Sequence, residues 1–211
     1  MIVKIGVSIL SLDYEDISEV EQALMRADNA NSVHLDVMDG RFVRNKTFDH
    51  ELVRKIDTPL RKVVHLMVNQ PEKVVDNYIK AGAQEIVFHI EATRAPKKLI
   101  NELKEKGISV GIALNPETPL KKVKNYLSDI DMVFVMTVHP GKGGQKMLKT
   151  PLKKVRSIRK SHPALDIAVD GGINDKTAHT AIEAGANILV SGSYIVKSPD
   201  PKLAIDLLRN A

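Results

Sequence analysis

Ser32-Val33-His34-Leu35-Asp36-Val37-Met38-Asp39-Gly40 is the stretch on which the reading of this chain turns. Side chains on a strand alternate faces, so His34 and Asp36 project to one side while Val33, Leu35 and Val37 project to the other. Burying two titratable groups on one strand face is costly without partners. Two candidates stand at the ends of other apolar runs: His65 in Val63-Val64-His65-Leu66-Met67, and Asp170 directly before Gly171-Gly172. Two imidazoles and two carboxylates converging at strand ends can hold a divalent metal and leave carboxylates free for proton transfer.

Outward from this run, short β-branched segments alternate with amphipathic ones along the whole chain. Strands are predicted at 4–9, 32–37, 61–67, 85–90, 109–114, 132–138, 166–169 and 187–190. Helices are predicted near 15–28, 49–57, 71–81, 96–106, 118–127, 146–161, 174–184 and 201–209, several opened by signals such as Pro71-Glu72, Pro119 and Asn174. Ala-Gly-Ala at 81–83 and again at 184–186 reads as a helix stop before a strand. Parallel strands need crossover connections, and eight such units close into a (β/α)8 barrel of roughly 200 residues or more. An open doubly wound sheet is the competitor. The barrel is favoured because candidate residues sit on or after strands one, two, three, six, seven and eight, and a ring of strand ends can aim all of them at one centre.

The 211 residues contain no linker-like stretch, so residues 1–211 are read as a single domain. With 43% hydrophobic residues, 4% aromatics and no Trp, the core must be aliphatic. The absence of Cys excludes disulfides and thiolate ligands, so a metal must take His, Asp or Glu, and a reducing cytoplasm is the expected location. No signal peptide is read at the N-terminus and no run approaches the ~20 apolar residues of a membrane span. The net charge of +5 is spread over separate helices, as in Lys97-Lys98, Lys121-Lys122 and Lys153-Lys154, which read as solvated faces. No aromatics are interleaved for base stacking, so nucleic acid is not expected as a partner, whereas a phosphorylated substrate would benefit from the positive field.

Three glycine-rich segments each follow a strand: Pro140-Gly141-Lys142-Gly143-Gly144-Gln145, Asp170-Gly171-Gly172-Ile173-Asn174 and Ser191-Gly192-Ser193. Glycines let backbone N–H groups approach an anion, and barrels often bind phosphate with the loops after strands seven and eight. The longer loop after strand six is a candidate lid. Met38, Met67 and Met136 fall at strand ends, where they either fill core or wall a substrate pocket. His89 and Glu91 offer themselves as extra ligands but read at least as well as structural residues or supports for the ligands, and Asp39 reads as a turn residue.

These residues carry a resemblance. Ser8-Ile9-Leu10-Ser11, His34 to Gly40, His65-Leu66-Met67-Val68, Gly111 to Pro116, Pro140 to Gln145 and Val169 to Asn174 occur in order, and the chain resembles the ribulose-phosphate 3-epimerase family nearly end to end. The resemblance implies a (β/α)8 barrel of the ribulose-phosphate-binding type. One divalent ion (Fe(II), Zn, Mn or Co) would be bound through His34, Asp36, His65 and Asp170, and D-ribulose 5-phosphate and D-xylulose 5-phosphate would be interconverted. It implies Asp36 and Asp170 as the acid/base pair acting on opposite faces of carbon 3. Ser8 and His65 would lie at the substrate, with Gly141, Gly143, Gly144, Gly171, Gly172, Gly192 and Ser193 around its phosphate. The partners expected are a small sugar phosphate and further copies of the chain.

The chain departs from the family pattern where Phe-Val-Pro-Asn becomes Phe42-Val43-Arg44-Asn45, followed by Lys46 and by Asp49 in place of a common Gly. It departs again where the lid's Phe becomes Lys142 and His139 replaces Asn or Glu. Arg44, Lys46 and Lys142 therefore bear on specificity, and a related 3-epimerase acting on D-allulose 6-phosphate is the alternative. The phosphate-binding decarboxylases carry Asp-x-Lys-x-x-Asp; the nearest run here, Asp200-Pro201-Lys202, has Ile205 at the last position and lies in the final helix. A non-catalytic sugar-phosphate-binding protein is the reading from another class, against which both Asp36 and Asp170 are present.

Overall fold

The computed structural model describes residues 2–211. Eight strands, β1 (Lys4–Ser8), β2 (Ser32–Met38), β3 (Arg61–Met67), β4 (Glu85–His89), β5 (Ser109–Leu114), β6 (Met132–Met136), β7 (Asp166–Asp170) and β8 (Ile188–Ser191), form a closed barrel in chain order. All pairings are parallel, and β8 returns to β1 with Lys4 opposite Ile188 and Val7 opposite Ser191. Each strand begins and ends within two residues of its predicted bounds.

Period-2 alternation sorts the two sides of the barrel wall. Val33, Leu35 and Val37 of β2 join Ile5, Val7 and Val64 in the core that lies between the sheet and the outer helices. A second apolar layer, including Val63, Val87, Phe134, Ala168 and Val190, fills the barrel interior. Leu35 is fully buried, and burial of such a side chain contributes roughly 1.5–3 kcal/mol. The polar members of the inward face, His34, Asp36, His65 and His89, are themselves buried.

The helices are α1 (Ile17–Arg26), α2 (His50–Lys55), α3 (Val75–Lys80), α4 (Pro96–Glu105), α5 (Leu152–Ser161), α6 (Ala178–Glu183), α7 (Ser193–Val196) and α8 (Pro201–Arg209). Asp16, Asp49 and Asp200 cap α1, α2 and α8 by accepting backbone N–H bonds from Glu19, Glu51 and Leu203. Asp49, one of the departures in sequence, is thus a helix cap. Both Ala-Gly-Ala stops appear as expected, with Gly82 and Gly185 at positive φ.

Four helix expectations need correction. Residues 71–81 divide into a 3-10 turn, Pro71–Lys73, and α3. Residues 118–127 form two 3-10 turns, Leu120–Lys122 and Lys124–Tyr126. The inward residues Leu120, Val123 and Tyr126 recur every third position, the period that a 3-10 turn aligns. The helix predicted at 146–161 starts only at Leu152, because Pro151 disfavours helical backbone at Thr150. Asn174 opens a turn ending at Thr177, whose Oγ1 accepts the Asn174 N–H, and α6 follows. Among the basic pairs, Lys154 is no solvated cation: its Nζ donates to the carbonyls of Asn115 and Pro116 at 2.7 and 2.9 Å. No helix among the described residues is long and apolar enough to cross a membrane.

Candidate active site

The barrel brings the four sequence candidates together. His34 Nε2 lies 3.3 Å from Asp36 Oδ1, His65 Nδ1 lies 3.1 Å from the same oxygen, and the two ring nitrogens are 3.3 Å apart. With a carboxylate oxygen of Asp170, these ligand atoms all fall within 4.8 Å of one another. Register explains why the two imidazoles present different nitrogens. Asp36 is opposite His65, whereas His34 sits one inward position lower, opposite Val63. His34 therefore reaches up with its distal nitrogen, and His65 turns its proximal one inward. The Phe134 ring stacks on His34 with 6° between planes and centroids 5.2 Å apart, fixing the lower imidazole.

Asp36 spends its second oxygen on β1. Ser8 Oγ donates to Asp36 Oδ2 at 2.6 Å and accepts the Leu10 N–H, so its proton is committed to the carboxylate. Burial works to raise the Asp36 carboxyl, but opposing effects led by the charge and hydrogen bond of the adjacent His34 hold the group well below the usual carboxylate range. Asp170 goes the other way: burial first, then the Asp36 charge, pushes it up to about 7. Burial lowers His65 to about 3. Burial also opposes the charge on His34, yet Asp36 raises it above an ordinary histidine. The pocket therefore holds one carboxylate kept ionised and one poised to carry a proton near neutrality.

A cavity of about 640 Å³ opens above the cluster, with Ser8, Asp36 and Asp170 among its lining. Met38, Met67 and Met136 are each 2% exposed and still line it, so they serve both as core and as wall. Gly141, Lys142, Gly143 and Gly144 border it from the loop after β6, Gly171 and Gly172 from the loop after β7, and Gly192 and Ser193 from the start of α7. At Gly172, with φ +69°, a Cβ would sit 2.4 Å from the Met147 nitrogen. The loops after β6 and β7 thus pack main chain against main chain. Lys142, Lys146, Lys149 and Lys176 also line the cavity and give its mouth positive charge.

Not every candidate is in the cavity wall. Arg44 is exposed and outside the lining residues, and His139 faces Glu117 at 3.4 Å. Asp39 is a turn residue, accepting the N–H groups of Arg41, Phe42 and Asn69. The lid segment is braced from within by Gln145, which donates to the carbonyls of His139 and Lys142, and from outside by Asn45, which donates to the Gly141 carbonyl at 2.6 Å.

Two features escaped the sequence reading. Buried Thr137 clamps the turn after β7: its Oγ1 lies 2.9 and 2.7 Å from the carbonyls of Asp170 and Gly171, and its N–H bonds the Asp170 carbonyl at 2.7 Å. No local pattern marks it, because the contact joins different strands. The second is the partner of His89: the sequence reading placed His89 and Glu91 as possible supports for the ligands, but not the contact of His65 Nε2 with His89 Nε2 at 2.9 Å, continued from His89 Nδ1 to Glu91 at 3.3 Å. Here the sequence did carry a signal, since His89 and Glu91 are spaced like His34 and Asp36.

A parallel (β/α)8 barrel that gathers imidazoles and carboxylates at its strand ends, under glycine loops, belongs to the ribulose-phosphate-binding class of barrels. More particularly, the chain belongs to the ribulose-phosphate 3 epimerase family, whose model matches residues 4–196, and it is an epimerase. The ribulose-phosphate 3-epimerase of Schizosaccharomyces pombe is 39% identical, over 99% of this chain and 93% of its own length. The cytoplasmic isoform of the enzyme from Oryza sativa subsp. japonica is 38% identical over the same shares. The solved 3-hexulose-6-phosphate synthase from Salmonella typhimurium matches with a TM-score of 0.74 at 17% identity, over 99% of this chain and 97% of that one. That last likeness concerns the fold alone.

Proposed function

We propose that this protein interconverts D-ribulose 5-phosphate and D-xylulose 5-phosphate, with Asp36 and Asp170 as its two proton-transfer groups. The observation that carries the reading is the split acidity of two carboxylates in one donor cluster, Asp36 buried and Asp170 half-buried, at the base of a cavity rimmed by glycine loops and lysines. Inverting a stereocentre through a planar intermediate needs a base on one face and an acid on the other. In one direction, ionised Asp36 takes the proton from carbon 3 and the C–H electron pair becomes the C2–C3 double bond of an enediolate. Protonated Asp170 then delivers its proton to the opposite face of carbon 3, leaving Asp170 ionised and Asp36 protonated. The reverse reaction exchanges the roles. Ser8 fixes the direction of the Asp36 carboxylate, and the methionine wall keeps water from the reacting carbon.

The donor set fits a divalent cation, since two imidazole nitrogens and two carboxylates are ligands shared by Fe(II), Zn, Mn and Co. Bound by His34, Asp36, His65 and Asp170, the ion would supply positive charge that stabilises the anionic intermediate. The main-chain N–H groups of Gly144, Gly171, Gly172, Gly192 and Ser193 hold the phosphate, aided by the lysines at the mouth. A single domain over residues 1–211, a cytoplasmic location and self-association belong to the same proposal. Nucleic acid is not expected as a partner, since the sequence interleaves no aromatics with its basic residues for base stacking.

A second substrate, D-allulose 6-phosphate, is favoured by one observation: Lys142, a cation where the resembled family carries an apolar lid residue, lines the cavity. The experiment is turnover of both sugar phosphates in D2O by chelated protein reloaded separately with each metal. Metal-dependent turnover of the pentose phosphate, with solvent deuterium entering carbon 3, is the expected result. Turnover that retains the original carbon-3 proton would overturn the mechanism, and preference for the hexose phosphate would overturn the substrate.

A further inference from the structure

Beyond the four ligand atoms runs a line of hydrogen bonds with a fixed polarity, exposed at Glu91 and buried at His89 and His65. It begins at Glu91, whose Oε1 accepts the Asn115 N–H at 2.9 Å and the Thr118 hydroxyl. Its Oε2 lies 3.3 Å from His89 Nδ1. A carboxylate held ionised has no proton to give, so Nδ1 of His89 must donate. In a neutral imidazole the other nitrogen is then an acceptor. That other nitrogen, His89 Nε2, lies 2.9 Å from Nε2 of His65. The nitrogens are closer than the ring centroids, which are 5.0 Å apart with 19° between planes, so the rings meet edge to edge in hydrogen-bond geometry. One proton must sit between them, and only His65 is left to supply it. With its hydrogen on Nε2, His65 turns an unprotonated Nδ1 to His34 Nε2, 3.3 Å away, a nitrogen placed to supply one hydrogen to both His65 Nδ1 and Asp36 Oδ1.

We propose that His89 and Glu91 are positioning residues that lock His65 into the tautomer whose Nδ1 can take a metal ion. This rests on the metal-binding reading of the site. Without the relay, a neutral His65 beside the Asp36 carboxylate would place its proton on Nδ1 and donate to Asp36 Oδ1, 3.1 Å away. The ligand atom would then be blocked by hydrogen. The setting supports a dedicated arrangement: His65 and His89 are both fully buried, and Phe42 covers His89 with ring centroids 4.8 Å apart. Glu91 is anchored by two donors besides the histidine, the Asn115 N–H and the Thr118 hydroxyl, which fix the direction of its carboxylate. Imidazole ligands oriented by such a partner typically lose ~10–100-fold in metal affinity when it is removed.

The test is ¹⁵N-imidazole NMR of the metal-free protein, which assigns the protonated nitrogen of each ring, alongside chelator-competition titration with Co(II). The expected result is hydrogen on Nε2 of His65 and on Nδ1 of His89. In His89→Phe and in Glu91→Ala the hydrogen of His65 should move, wholly or in part, to Nδ1, with Co(II) affinity falling about 10–100-fold. Finding Nδ1–H on His65 of the parent protein would overturn the proposal, and that measurement needs no variant to fold. Unchanged His65 tautomer and Co(II) affinity within twofold in a folded Glu91→Ala would overturn it as well. Failure of the parent protein to bind Co(II) at all would instead remove the metal reading on which the proposal rests, a result distinct from either tautomer outcome.

Discussion

Gly172→Ala tests whether the loops after β6 and β7 must lie main chain to main chain. Two costs can be separated from the geometry. The backbone there has φ +69°, and an L-residue with a Cβ in the left-handed region costs about 1–2 kcal/mol relative to glycine. The added Cβ would also stand 2.4 Å from the Met147 nitrogen and 2.9 Å from the Gln145 carbonyl oxygen. Overpacking typically costs about 1–3 kcal/mol, and because these atoms are backbone, the relief must be a shift of the loop. The total is about 2–5 kcal/mol, with the lid displaced from the phosphate side of the cavity. Gly107→Ala isolates the first cost, since its φ is +73° and nothing lies within 4 Å of the new Cβ. Urea unfolding should show about 1–2 kcal/mol for Gly107→Ala and more for Gly172→Ala. Only the latter should raise KM for the sugar phosphate. Equal losses of stability in the two variants, with KM unchanged, would refute the close-packing argument.

Asp36→Asn and Asp170→Asn should each lower kcat by about 10²–10⁴ while preserving the fold, and near-parental turnover by either would remove it from the proton-transfer pair. In metal-free protein, Asp170 has a folded pKa of about 7 against an ordinary value of 3.8. The folded state thus binds its proton more tightly, and stability from this group is complete below pH 3.8 and is lost as pH rises toward and through 7. Asp170→Asn should flatten that decline in a pH series of thermal melts, and an unchanged slope would contradict it. Because His34 is raised by Asp36, metal entry must displace a proton. Co(II) affinity should fall up to tenfold per pH unit below the His34 pKa, as read by competition titration. Thr137→Val removes the hydroxyl shared by the Asp170 and Gly171 carbonyls and should cost about 1–3 kcal/mol in unfolding experiments, lowering kcat more than it raises KM.

Legibility in the sequence followed the range of the forces involved. Strands buried on the helix side read as apolar runs, so all eight were visible, and His34 with Asp36 stood out because period 2 puts them on one face. That His65 and Asp170 join them followed from the barrel, which aims strand ends at one centre. Residues 118–127 were misread because their spacing of apolar positions suits both a helix and a pair of 3-10 turns, and only packing against the sheet decides. α7 went unseen because only its first residue, Ser193, was read, as the end of a glycine segment. Thr137 and the His65–His89 contact depend on which residues neighbouring strands bring side by side. Registers such as His65 beside Val87, and Met136 beside Asp170, are set by the closed barrel as a whole.

Three of the four cluster residues lie in β2 and β3, while Asp170 waits at the end of β7. A ribosome therefore delivers His34, Asp36 and His65 early and the last carboxylate late, after most of the barrel has been made. A truncated or half-assembled chain would expose three ligands yet lack the partner acid, so it could sequester an ion without turning over sugar. On the proposed roles, the strand order makes completion of the chain a condition of activity: the seventh strand would be both a stave of the wall and the piece that turns a passive chelator into a catalyst.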